Sequence, residues 1–201
     1  MAIIALAVVA TGLLGGSPEP VERVLQPATP TETYTAPAPT PTEAPVAASA
    51  PTRVEVPSVG LDVPVLPVTP EGGELDPPTL AEAYWIEAYG SPGSDADNTV
   101  YLAGHSYDSG DAAFNPLFDR AEQVALVAPG DEIVVTTEAG RLTYAVDSTE
   151  RYPKDELADV EEVWRIVPDR LVLITCFQRN DGGASQDNLV VFASLVSTVP
   201  A

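Results

Sequence analysis

From Ser17 to Pro51 the chain reads SPEPVERVLQPATPTETYTAPAPTPTEAPVAASAP, a run dominated by Pro, Thr, Ala and Glu. Such a stretch cannot bury enough apolar surface to offset the entropy of ordering it, and repeated prolines favour extended polyproline II. It therefore confines any hydrophobic core to residues 52–201, room for one ordinary domain and not two. The run itself reads as a disordered spacer of about 3 Å per residue, able to hold that domain off a surface. Ahead of it, Met1–Gly16 (MAIIALAVVATGLLGG) is apolar and uncharged. It is shorter than the roughly 20 residues that span a bilayer, and no Lys or Arg precedes it as in a signal peptide. We read it as a signal peptide or a truncated membrane anchor. Either places the domain outside the cytoplasm, membrane-anchored or secreted.

Charge narrows the partners. Nine basic residues face 30 acidic ones, a formal net charge of −21. That balance repels phosphates and anionic headgroups, so nucleic acid is excluded and membrane contact is expected only through the N-terminal segment. It also favours a soluble monomer. The 201 residues hold one cysteine and one histidine, so neither an internal disulfide nor a Cys/His zinc site can be assembled. Asp108, Asp111 and Asp131 lack the spacing of a calcium loop and read as solvated surface. No metal and no cofactor is expected.

The pattern after residue 51 is that of many short strands. Arg53–Val56 and Val63–Val68 are β-branched runs broken by Pro57, Gly60 and Pro64, the prolines suggesting strand edges or ends. Thr99–Ala103 (TVYLA) is a buried-strand pattern, and Glu132–Thr137 and Arg141–Asp147 flank a hairpin turn at Glu138-Ala139-Gly140. Leu171–Thr175 (LVLIT) and Leu189–Val196 (LVVFASLV) complete the set. Helix is expected only over Leu80–Glu87 and Glu156–Trp164, with a turn around Asn115–Arg120. Many strands and few helices predict an all-β closed barrel.

Two strands end on reactive side chains. His105 follows TVYLAG, and Cys176 follows LVLIT, each bordering a polar loop. Such strand ends can expose a side chain and still hold it in place. A Cys–His pair works because the thiolate is the nucleophile, a nearby imidazolium favours it, and the histidine can protonate a leaving amine. A buried, inert cysteine is the competing reading, and position alone leaves the two evenly matched.

Four segments break the tie. RVEVPSVGLDVPVLPV (Arg53–Val68), AYWIEAYGSPGSDADNTVYLAGHSY leading to Gly104-His105, FNPLFDRAEQVALVAPGDEIVV, and LVLITC ending at Cys176 occur in this order. Together they resemble the sortases, specifically the class E/F type of high-GC Gram-positive bacteria, over roughly Arg53–Val196. The resemblance implies a sortase β-barrel with Cys176 as nucleophile and His105 as acid/base. It implies cleavage of an LPXTG-like sorting signal on secreted proteins, through an acyl-thioester on Cys176. The acyl group would pass to an amine acceptor such as a cell-wall precursor or a pilin lysine. Thr175 would shape the strand end before the nucleophile.

The chain departs from the family pattern at one point. The family carries an essential arginine after the cysteine, in this class within an Arg-Asp-Asn run, and here the run is Gln186-Asp187-Asn188. Gln186 can still donate a hydrogen bond to an oxyanion but brings no charge. Arg179, three residues beyond Cys176, is the second oxyanion-stabilising candidate, against its reading as a solvated loop arginine. This departure keeps two alternatives in play: a catalytically weak or inactive sortase-like cell-wall binding module, and an L,D-transpeptidase-like enzyme. The latter family shows a Ser-His-Gly-Cys neighbourhood, and this chain has Ile-Thr-Cys.

Overall fold

Ten strands and very little helix make up the computed structural model, which describes residues 44–70 and 75–201. The expected N-terminal segment 1–16, and residues 17–43 of the expected linker, lie outside the described residues. Eight strands close into a barrel in the order β1 (Pro51–Val56), β2 (Leu61–Val68), β3 (Ala83–Ile86), β4 (Thr99–Gly104), β9 (Arg170–Phe177), β10 (Asp187–Pro200), β8 (Gly140–Pro153) and β7 (Glu132–Thr137). The other two, β5 (Phe118–Asp119) and β6 (Val124–Ala125), pair with each other. The closed all-β barrel expected from the strand pattern is the fold observed.

Alternation along each strand separates two apolar clusters. Leu171, Leu173 and Phe177 of β9 join Val100 and Leu102 of β4 inside the barrel. Val172 and Ile174 of β9, Tyr101 of β4, and Val190 and Phe192 of β10 belong to a second cluster on the outer face. The outer face is covered by Leu157, Val160, Val163 and Trp164, from a 3₁₀ turn (Leu157–Asp159) and the single-turn helix α1 (Glu161–Trp164). Coverage on both sides explains why Leu171–Ile174 (LVLI) is apolar at every position and does not alternate. Buried Arg170 staples α1 in place, donating to the carbonyls of Glu162 (2.9 Å), Val163 (3.1 Å) and Arg165.

Prolines sit comfortably in this closed barrel because β2 changes partners halfway. Leu61–Pro64 pairs with β1, and Val65–Val68 pairs with β3. Each half of β2 thus has one sheet neighbour, so Pro64 and Pro67 can lack an N–H without breaking a ladder.

The expectation of a helix over Leu80–Glu87 fails. Ala83–Ile86 is β3, parallel to β2 and antiparallel to β4, with Tyr84 opposite Ala103. All four residues are buried, and the aromatic and β-branched side chains of AYWI suit a strand inside a sheet better than the local helical spacing suggested. The helix expected over Glu156–Trp164 is present only as the 3₁₀ turn and α1. Residues 44–50, read from composition as spacer, lie against the barrel. Val46 is buried, its N–H bonds Ser94 Oγ at 2.7 Å, and Ser49 N–H bonds the Pro92 carbonyl at 3.0 Å. The approach is close enough that a Cβ on Gly93 would stand 2.6 Å from the Ala48 backbone.

Candidate active site

Parallel pairing of β4 with β9 positions the two reactive side chains. The last register pair of these strands is Ala103 opposite Ile174. His105 and Cys176 each stand two residues further along their strands, so they step past the end of the ladder together. By the two-residue alternation both lie on the outer face that carries Tyr101 and Ile174. Adjacent strands run about 4.8 Å apart, so the lone histidine and the lone cysteine are neighbours at one end of the barrel. On the other side of β9, Asn188 of β10 is the register partner of Cys176. Cys176 is partly accessible and free.

Gly104 ahead of His105 is a packing requirement. Its inward position faces the Phe114 ring, and a Cβ there would stand 2.9 Å from ring carbons. Phe114 N–H in turn donates to the His105 carbonyl at 2.9 Å, so the plug that closes the barrel interior also fixes the His105 backbone. The imidazole has its own partner. His105 Nε2 lies 2.7 Å from the Pro77 carbonyl and 3.9 Å from Asp76 Oδ1. A carbonyl only accepts, so Nε2 carries the hydrogen and Nδ1 is left as the nitrogen free for proton transfer.

Beyond the β4–β9 ladder, side chains take over the pairing. Ser106, buried beside His105, donates its hydroxyl to the Cys176 carbonyl. Gln178 returns the contact, its amide donating to the Ser106 carbonyl at 2.8 Å. These two residues clasp the His105 and Cys176 strand ends. Sequence reading missed both; Ser106 directly after Gly-His was the available signal, and nothing marked Gln178.

The two oxyanion candidates fall into one cavity of about 170 Å³, lined by residues including Gln123, Arg151, Phe177, Arg179, Gln186 and Asp187. Gln186 is exposed and precedes β10, its carbonyl held by the Lys154 N–H at 2.9 Å. Arg179 is engaged elsewhere: both its Nε and Nη2 donate to the Asp181 carboxylate. That pairing raises the Arg179 pKa and holds the Asp181 carboxyl well below its ordinary range, the hydrogen bond being the largest cause in each case. Arg151, which the sequence did not single out, lies over the Phe177 ring at 4.0 Å and pairs with Asp187 at 2.5 Å. Thr175 points into the barrel, buried, and its hydroxyl has no hydrogen-bond partner among the described residues.

A closed eight-stranded barrel with an accessible Cys–His neighbourhood on parallel strands defines a limited class of folds. The sortase domain family model matches residues 54–196, and the chain belongs to the sortase family. Among solved structures it is similar to sortase A of Listeria monocytogenes (TM-score 0.55, 23% identity, covering 77% of this chain and 92% of that one). It is similar also to sortase C-1 of Actinomyces oris (TM-score 0.53, 23% identity, 72% of each chain). Sortase A of Corynebacterium diphtheriae gives a TM-score of 0.54 at 20% identity, over 75% of this chain and 62% of that one. No curated protein sequence matches the chain. Membership identifies a cysteine transpeptidase family whose enzymes act outside the cytoplasm on sorting-signal proteins and amine acceptors. Among the described residues no helix is long and apolar enough to cross a membrane.

Proposed function

We propose that the chain is a class E/F-type sortase that cleaves an LPXTG-like sorting signal through an acyl-thioester on Cys176. The observation that carries this reading is the shared register of His105 and Cys176 beyond the Ala103–Ile174 pair. Cys176 Sγ attacks the Thr carbonyl of the signal, forming a C–S bond and a tetrahedral oxyanion. The oxyanion collapses, the C–N bond breaks, and His105 gives its proton to the departing amine. An acceptor amine then attacks the thioester and loses a proton to His105. A C–N bond forms, the C–S bond breaks, and the Cys176 thiolate is regenerated. Gln186 is the candidate oxyanion donor left free, because Arg179 is committed to Asp181. One such donor contributes about 3 kcal/mol to the transition state.

That same commitment of Arg179 favours a second reading, a catalytically silent sortase-like module that binds the cell wall. Incubation with fluorogenic LPXTG- and LAXTG-type peptides, followed by intact mass, separates the two. The enzyme reading expects cleavage and an acyl adduct lost on Cys176→Ala. Absence of both across the peptide panel refutes it.

A further inference from the structure

A second cavity, of about 260 Å³, opens beside the clasp and is lined by Tyr107, Asp108, Asn115, Arg120 and Gln178 among others. Tyr107 stands two residues past His105 and Gln178 two past Cys176, so this cavity adjoins the candidate active site on the side beyond both strand ends. Its arginine is unusual for this chain. Arg53, Arg141, Arg151, Arg165, Arg170 and Arg179 all lie within 4.0 Å of a carboxylate. Arg120, among the described residues, makes no such pair, although acidic residues outnumber basic ones by 30 to 9. It is held instead by a backbone carbonyl, Nη1 donating to Asp108 O at 2.6 Å. Arg120 is half-buried. Its own residue carbonyl and that of Gln178 are tied together by the Gln123 amide, at 2.7 and 2.9 Å. A guanidinium anchored by one nitrogen still offers donors from its other nitrogens, in the fork that fits a carboxylate. Asp108 meanwhile contributes its carbonyl to Arg120 and leaves its carboxylate for something else.

The geometry points to an acceptor subsite: we propose that this cavity binds an amine acceptor bearing a carboxylate on the same carbon, an α-amino acid-type group. Arg120 holds the carboxylate and the Asp108 carboxylate attracts the ammonium on arrival. A cavity presenting one cation and one anion is complementary to a zwitterion, and it disfavours a plain alkylamine or a peptide N-terminus whose neighbouring carboxyl is an amide. After losing a proton to His105, the amine attacks the Cys176 thioester. The new C–N bond forms as the C–S bond breaks and the thiolate leaves. The proposal rests on the transpeptidase reading above and names its second substrate.

The test uses a sorting-signal peptide with glycine, glycinamide or ethylamine as acceptor, and measures the ratio of amide product to hydrolysed acid. That ratio divides out acyl-enzyme formation, so it reports the acceptor alone. Glycine should outperform glycinamide by about tenfold, the discrimination expected of one charge-assisted pair. Arg120→Gln should collapse that preference, whereas Arg53→Gln, at an ion pair between β1 and β2, should preserve it. Equal use of glycine and glycinamide, or a preference that survives Arg120→Gln, overturns the subsite while leaving the transpeptidase intact. Absence of any cleavage overturns both.

Discussion

Ser106→Ala removes the hydroxyl that joins the two strand ends carrying His105 and Cys176. The wild-type hydroxyl donates to the Cys176 carbonyl and lies 3.3 Å from the Gln178 amide, which also bonds the Ser106 carbonyl. Leaving a buried acceptor unmet costs about 1–3 kcal/mol. Cys176 is partly accessible, so water can reach its carbonyl and the cost should fall at the low end, about 1 kcal/mol. Urea denaturation followed by tryptophan fluorescence should register that as a lower midpoint at unchanged slope. The effect on chemistry should be larger than on stability. The β4–β9 ladder ends at Ala103 and Ile174, so without the hydroxyl the two strand ends are joined to each other only by the Gln178 amide on the residue-106 carbonyl. Phe114 still holds the His105 backbone, and Asn188 of β10 still pairs with Cys176. A misplacement of about 1 Å between reacting groups can cost a hundredfold in rate. Turnover of a sorting-signal peptide should therefore show kcat reduced at least tenfold with KM little changed, and Ser106→Thr, which keeps the hydroxyl, should recover most of it. A variant that loses the expected stability but keeps its kcat would refute the reasoning, because Ser106 would then be a packing residue only.

Arg170→Met should destabilise by about 3 kcal/mol, since it strips the α1 carbonyls of a buried charged donor; the midpoint of thermal unfolding reads it at about 2–4 °C per kcal/mol. Thr175→Val should go the other way, gaining about 1 kcal/mol in the same assay, because it replaces a buried hydroxyl without a partner by a methyl group of like shape. Tyr144 predicts an alkaline limit. Burial first, and the Asp169 charge second, push its phenol above the ordinary value of 10.0. The folded state therefore holds the proton more tightly than the unfolded one, so Tyr144 contributes its full stability below pH 10 and loses it as pH rises further. Absorbance at 295 nm should show this phenol ionising together with unfolding, and Tyr144→Phe should shift that transition to higher pH.

What the sequence made legible follows from which forces act locally. β9 and β10 were readable because continuous burial on both faces demands unbroken apolar runs, and the hairpin expected at Glu138-Ala139-Gly140 was readable from the strand runs on either side, the fold pairing Gly140 with Thr137. β3 was not, because AEAYWIEAY satisfies a helical spacing as well as an extended one. Its strand conformation comes from partners distant in sequence, Val65–Val68 of β2 and Leu102–Gly104 of β4. The same distinction divides the site. His105 and Cys176 could be found because each is the only residue of its kind and each ends a strand. Ser106 and Gln178 could not, since their contacts are set by what they meet across the barrel mouth, and the same holds for the backbone anchoring of Arg120.

The single arginine expected after Cys176 shows how far such reading reaches. Sequence placed a glutamine there and offered Arg179 as the substitute, a choice that proximity along the chain favours. In the fold, proximity works against it: Asp181, two residues on, closes a bidentate pair with Arg179 and neutralises it. Among the described residues, the arginine left without a carboxylate is Arg120, separated from Cys176 by more than fifty residues yet lining a cavity with Gln178. In a chain this acidic, a cation near a reactive centre is available only if the backbone, not a carboxylate, holds it. Asp108 and Gln123 do that for Arg120, one through its carbonyl and the other by tying the Arg120 backbone to that of Gln178. Under the proposed acceptor subsite, the charge missing from the expected oxyanion position is used one step further along the reaction, where an acceptor would arrive.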